Sequence, residues 1–238
     1  MIAALFFTSV AGTGCASYRA LSFPDRPPHS FAIRQESHGL TLAAWTLLDE
    51  AAVTRYFGDA LWDAGYFPVI VHIENEGQQP AVFERGQFTL RLQEEQASVE
   101  GEGRDRAPAS ALDVLVRCER ALWPSWLLAP LLVAPAVWAH RSVAQHNFDL
   151  TKDFAEKALP SYFRLEPGDP PLVGALFFPR PTSEEPLGEI LENAELRAHV
   201  KFEGTRLGEE TPDDPQATEA SRVGFTTTFI LGLRDEAQ

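Results

Sequence analysis

Cysteine is nearly absent from this chain, and positive charge is scarce: two cysteines among 238 residues, and 20 Lys and Arg against 34 Asp and Glu. Cys15 lies beside an N-terminal apolar run and Cys118 lies inside a charged helical pattern, so no disulfide framework is expected. The formal net charge is −14. No segment clusters Lys and Arg as phosphate binding requires, which excludes nucleic acid as a partner. The chain also lacks a Gly-x-Ser-x-Gly nucleophile elbow, a phosphate-binding P-loop and a dinucleotide glycine pattern. The acidic stretch from Glu209-Glu210 to Asp213-Asp214 has neither the spacing nor the glycine of a calcium loop. No stretch assembles a reaction centre, so the expectation is a non-enzymatic protein with no cofactor and no metal.

What is present is enough apolar material for a core, with 45% hydrophobic and 11% aromatic residues. The clearest strand lies in Tyr66 to Pro80, where a β-branched run meets a polar turn cluster. Val69, Val71 and Ile73 fall on one face. Ile70, His72 and Glu74 fall on the other, which predicts a strand with one apolar side and one side turning polar towards its end.

Phe31 and Ile33 within 30–37, followed by Leu40 to Leu47, predict a hairpin across His38-Gly39. Asp49 caps a short helix to Tyr56, with Gly58 helping to end it. Strands follow at Ala81 to Glu84 and Phe88 to Leu92, then a solvated charged loop over Glu94 to Arg106. Ala109 to Leu122 has helical periodicity. His140 to Leu159 resumes an amphipathic helix with Val143, Phe148, Phe154, Ala158 and Leu159 as buried positions, stopped by Pro160. Tyr162 to Leu165 and Leu172 to Phe178 read as a hairpin about Pro167-Gly168-Asp169. A short helix over Pro186 to Asn193, a half-buried strand through Leu196, Ala198, Val200 and Phe202, and a last strand over Val223 to Leu233 complete the chain.

Leu122 to Ala139 carries no charge, three prolines and Trp123, Trp126 and Trp138 near its ends. Eighteen residues is near the lower limit for a spanning helix, but Pro124, Pro130 and Pro135 each remove a backbone donor. The readings, in order of preference, are a hairpin or broken helix packed on the strands, a surface meeting membrane or partner, and a true span. Contact residues would be Trp123, Trp126, Leu127, Leu131 and Trp138. His140, His146 and Asp149 suggest metal by composition only, since the two imidazoles are six residues apart and leave one helix on different faces. Lone His72 and helical Cys118 read as structural residues.

Ile2 to Ala11, then Gly12-Thr13-Gly14 before Cys15, resembles a bacterial lipoprotein signal. The resemblance implies cleavage before Cys15, lipidation of that cysteine and, with Ala16 next, an outer-membrane address facing the periplasm. Residues 15–29 are then a Pro-rich tether holding the body off the bilayer. Tyr56-Phe57-Gly58, Gly65-Tyr66, Pro68-Val69, Ile73, Asn75, Asp153-Phe154, Lys157-Ala158-Leu159, Pro167-Gly168, Gly174 and Phe177-Phe178 resemble an uncharacterised family of bacterial lipoproteins across residues 50–205. That resemblance implies an immunoglobulin-like β-sandwich carrying an apolar helical insertion, and no activity.

The resulting expectation is a mainly β, α+β protein: signal 1–14, tether 15–29, first strands 30–108, apolar helical hairpin 109–160, remaining strands 161–238. Its function would be that of a lipid-anchored interaction or scaffold module with a membrane or an envelope protein as partner. The alternative is a carrier of an apolar ligand in a Trp-lined pocket.

Overall fold

The computed structural model describes Tyr18 and residues 20–24, 31, 33–58, 60–92, 104–119, 133–181, 186–191, 194–204 and 223–233. Within them the chain is mainly antiparallel β with five helices. The strands are β1 (Arg34–Ser37), β2 (Leu40–Thr46), β3 (Tyr66–Asn75), β4 (Ala81–Glu84), β5 (Phe88–Leu92), β6 (Arg104–Arg106), β7 (Tyr162–Leu165), β8 (Leu172–Pro179), β9 (Glu195–Gly204) and β10 (Val223–Gly232). The helices are α1 (Glu50–Phe57), α2 (Ala60–Asp63), α3 (Ala111–Cys118), α4 (Val133–Lys157) and α5 (Leu187–Leu191).

The first sheet has the order β1-β2-β3-β8. In the second, β4 and β5 follow one another along one edge of β9, β10 pairs the other edge, and β6 and β7 extend β5 and β4. The sheets face each other across one core. Leu40, Leu42, Phe67, Val69, Val71, Ile73, Leu176 and Phe178 come from the first sheet; Phe83, Phe88, Leu196, Val200, Phe202 and Phe229 come from the second. This alternation is the period-two burial expected of strands with an apolar inner face.

A second core lies on the other face of the first sheet. Tyr66, Ile70, Ala175 and Phe177 there meet Val53 and Phe57 of α1, Leu61 of α2, Val114, Leu115 and Cys118 of α3, and Leu150 and Phe154 of α4. The protein therefore has three layers: sheet, sheet and helices. This corrects the reading of β3. Its second face does not open to water: Ile70 is buried beneath the helices, His72 is buried beside the Phe31 ring, and only Glu74 of the ten residues is not buried.

The local signals act as the physical rules require. His38 and Gly39, both with positive φ, form the two-residue turn joining β1 to β2, with Ser37 opposite Leu40. Asp49 accepts the Ala52 amide at the start of α1, and Ser110 accepts the Asp113 amide at the start of α3. Pro135 falls on the third residue of α4, a first-turn position where no intrahelical donor is lost.

Four expectations change. Arg104–Arg106 is not loop but an edge strand, pairing Arg106 with Leu90 and Arg104 with Leu92; backbone pairing at a sheet edge needs no apolar side chains. β7 and β8 do not form a hairpin. β7 pairs with β4 and β8 with β3, so the chain crosses between sheets through the Pro167-Gly168 turn. Phe148 is exposed, not buried: at about 100° per residue it lies opposite both His146 and Leu150. Helix α4 begins at Val133, seven residues before the expected start.

The crossing is held by Asn75. Its Nδ2 donates to the carbonyls of Gln79 and Leu165, both at 2.9 Å, and its Oδ1 accepts the Gly77 amide. Its own carbonyl takes the Gly168 amide. Asn75→Ala leaves buried backbone groups without partners and should lower stability by about 2–3 kcal/mol in urea unfolding. Asn75→Asp should cost more at pH 7, because its carboxylate faces two carbonyl oxygens, and the gap between the variants should narrow as pH falls towards about 4, the ordinary carboxyl value of the unfolded chain, and stay closed below it.

Candidate functional site

The helical layer is organised around three rings. Phe57 of α1, Phe154 of α4 and Phe177 of β8 contact one another with centroids 5.3–5.6 Å apart. Phe57 meets the other two rings edge to face while Phe154 and Phe177 stack, both arrangements that suit the ring quadrupoles. On top of this group sits Lys157, only 6% exposed.

A buried ammonium needs compensation, and Lys157 receives it from every side. Nζ lies 2.7 Å from both oxygens of Asp153, one turn earlier on α4. It donates to the Tyr56 carbonyl at 2.5 Å, one of the last carbonyls of α1. The rings of Phe57 and Phe23 lie 5.4 and 5.8 Å away. Burial pulls its pKa down, and the hydrogen bond and charge of Asp153 oppose that pull.

Asp153 has a second partner. The Tyr18 hydroxyl donates to its Oδ2 at 2.5 Å, and the Tyr18 ring meets His146 edge to face. The same ring crosses Gly58, the residue after α1, at φ 74°; a Cβ there would meet the ring at 2.9 Å, so glycine is needed for both conformation and space. Beyond Tyr18 the Leu21 amide donates to the Arg55 carbonyl, and Phe23 packs on Tyr56 and Phe57. Residues 18 and 20–24 are thus a strap laid over α1 and α4. The Pro-rich tether, expected to stand clear of the body, is in this part fastened to it.

Several of the residue pairs singled out in the sequence meet here. Tyr56, Phe57, Gly58, Asp153, Phe154, Lys157 and Phe177 form the clamp and the rings beneath it, and Asn75 and Gly168 form the sheet crossing. Sequence reasoning missed the clamp. Its one available signal was Asp153 and Lys157 at i and i+4 on a helix, a spacing shared with many solvated pairs.

Cys15, Trp123, Trp126, Leu127 and Leu131 lie outside the described residues. Trp138 lies on the backbone of α4, with its side chain outside them. Cys118 is buried under α3, and burial pushes its thiol up to about 12. Asp149 accepts a hydrogen bond from Gln145, one turn earlier on α4. Among the described residues no group of three His, Cys, Asp or Glu side chains could hold a metal ion, and no helix is long and apolar enough to cross a membrane. The arrangement is a charge-paired fastening, with its polar atoms engaged in holding chain segments together. No protein-family model, curated protein or solved structure matches the chain.

Removing one partner of a buried ion pair costs about 3–5 kcal/mol, and Asp153, about one-fifth exposed, should sit at the low end. Asp153→Ala is expected to lower stability by about 3 kcal/mol, measured by urea unfolding. Tyr18 supplies a pH signature. Burial first, then the hydrogen bond and charge of Asp153, push its hydroxyl well above 10.0 in the folded state. The folded protein therefore keeps a proton that the unfolded chain releases above pH 10. The stability difference between wild type and Tyr18→Phe should hold steady below pH 10 and shrink above it. Lys157 acts in the opposite direction, since its lowered pKa makes its contribution rise with pH, but it is common to both proteins and cancels in the difference.

Proposed function

We propose that this chain is a lipid-anchored cell-envelope protein, attached through Cys15 to the outer membrane on its periplasmic side and acting as a non-enzymatic interaction or scaffold module. Its body is read as an immunoglobulin-like sandwich with a helical layer added to one sheet. Residues 122–139 are its contact with membrane or with an envelope protein, through Trp123, Trp126, Leu127, Leu131 and Trp138.

The observation that carries this reading is the strap. Tyr18, three residues after Cys15, is fastened to α4 through Asp153. The helices α3 and α4, which bracket residues 120–132, pack in the same layer. The anchor point and the apolar stretch thus both connect to one side of the molecule. A contact surface there has a use that a reaction centre would not.

Detergent phase partitioning in a Gram-negative host tests it. Wild type is expected in the detergent phase, with metabolic acyl label on Cys15. A leaderless Cys15→Ser protein should enter that phase in part, and adding Trp126→Gln, Leu127→Asn and Leu131→Asn should move it wholly to water. A Cys15→Ser protein that stays aqueous from the outset removes the contact role of 122–139 and leaves the apolar-ligand carrier as the reading to pursue. Absence of acyl label removes the anchor.

A further inference from the structure

Six large hydrophobic side chains are markedly exposed among the described residues, and four of them belong to one layer: Leu21 on the strap, Leu112 and Val116 on α3, and Phe148 on α4. Leu112 and Val116 are one turn apart, so they share a face of α3. The other two, Tyr162 of β7 and Ile230 of β10, belong to the second sheet. Apolar exposure on the helical layer is accompanied by a local change in charge. The chain carries −14, yet the exposed charged residues of the layer nearly balance: Arg55, Arg117, Arg141 and Lys152 against Glu50, Asp63, Asp113 and Glu156 on the helices, with Asp49 and Glu119 at helix ends. This is a region of an acidic protein that a lipid surface does not repel.

The strap fixes how far that layer can stand from an anchor at Cys15. Three residues span at most about 11 Å, while the headgroup region of one leaflet is about 5–8 Å deep. Direction matters as well. Tyr18 lies against His146 and Asp153, and Phe23 against Lys157, so the chain runs along α4 in the same sense as the helix. Were the strap released, the fifteen residues between Cys15 and Phe31 could extend to about 50 Å, and the body would tumble free of the surface.

We infer that the strap is a latch that seats the outer surface of the helical layer on a lipid bilayer, with Leu21, Leu112, Val116 and Phe148 entering the headgroup region of a zwitterionic leaflet. This rests on the reading of Cys15 as a lipidated residue. It adds an orientation and a second set of contact residues, separate from 122–139. The clamp formed by Tyr18, Asp153 and Lys157 is a positioning device in this scheme, and it touches no lipid itself.

The test uses the full lipidated chain in vesicles of phosphatidylethanolamine and phosphatidylcholine. An environment-sensitive fluorophore is attached through Phe148→Cys, Val116→Cys or, as a control on the second sheet, Ile230→Cys. Cys118 will not compete for label at pH 7, being buried with a raised thiol pKa. With spin-labelled lipid as quencher, the labels at 148 and 116 should be quenched at least threefold more strongly than the label at 230. Equal quenching at all three positions overturns the orientation.

Two latch variants follow, each combined with the label at 148. Tyr18→Ala with Phe23→Ala should reduce quenching to the control level. Because this pair could unfold the helical layer, the second variant inserts twelve Gly and Ser residues between Ala16 and Ser17, leaving every packed residue in place, and the same reduction is expected. Persistent strong quenching with the spacer overturns the latch. Mass spectrometry of each preparation reports acylation of Cys15. An unacylated wild-type protein sinks the lipidation reading and this proposal together, a result distinct from unchanged quenching on an acylated one.

Discussion

The structure depends on a pair of strands, β3 and β8, that are covered on both faces. β3 is hydrogen-bonded to β2 along one edge and to β8 along the other, with the second sheet below it and the helices above. The outer edge of β8 is closed as well, where the amides of Ala109 and Leu159 donate to the carbonyls of Phe177 and Ala175. A strand in this position must be apolar in both registers, which is why Tyr66 to Ile73 reads as a near-continuous hydrophobic run. Two layers would leave Ile70 and Phe177 in water. The helical layer is therefore part of the folding unit, and the segments leading into and out of it are themselves paired to the sheet.

That layer places a charge where a hydrocarbon would pack more cheaply. Lys157 lies over the Phe57, Phe154 and Phe177 group, and its burial is tolerable because Asp153, the Tyr56 carbonyl and two aromatic faces surround it. Buried ion pairs of this kind often add little net stability, but breaking one is expensive, so they favour a single arrangement over near alternatives. Here the selected arrangement includes a segment distant in sequence. Tyr18 completes the coordination of Asp153 across 135 residues, and with it the N-terminal strap is brought into register with α1 and α4.

Much of the architecture was legible because the relevant physics is local. The β1-β2 turn at His38-Gly39, the Asp49 cap and the alternation of Leu196, Ala198, Val200 and Phe202 each depend on residues close in sequence. The errors occur where distant contacts decide. The turn at Pro167-Gly168 was visible, but only Asn75, ninety residues before Leu165, determines that the chain there changes sheets and does not double back. The face of Ile70 and His72 reads as turning polar towards its end because the residues that cover it, the helices over Ile70 and Phe31 beside His72, lie elsewhere in the chain. Phe148 differs for a simpler reason: it is apolar, but its angle around α4 turns it away from the core. For the clamp, Asp153 and Lys157 carry no sign of burial, and Tyr18 offers no hint of a partner on a helix so far downstream.

The strap is held by a narrow margin, and this bears on how it could act. Ordering its six described residues costs about 1 kcal/mol each at the low end. Half-burying Tyr18 and Phe23 returns about 3–4 kcal/mol, and the charge-assisted bond to Asp153 about 2 more. The Leu21 amide bond adds about 1. These terms nearly balance, so the strap should open well before the sheets do, as a local unit of low stability. Its closed state then depends on the contact that distinguishes it from a merely sticky peptide, the Tyr18 hydroxyl on a carboxylate already paired with a buried lysine. A fastening of that strength is firm enough to orient a body at a surface and weak enough for a competing partner to displace.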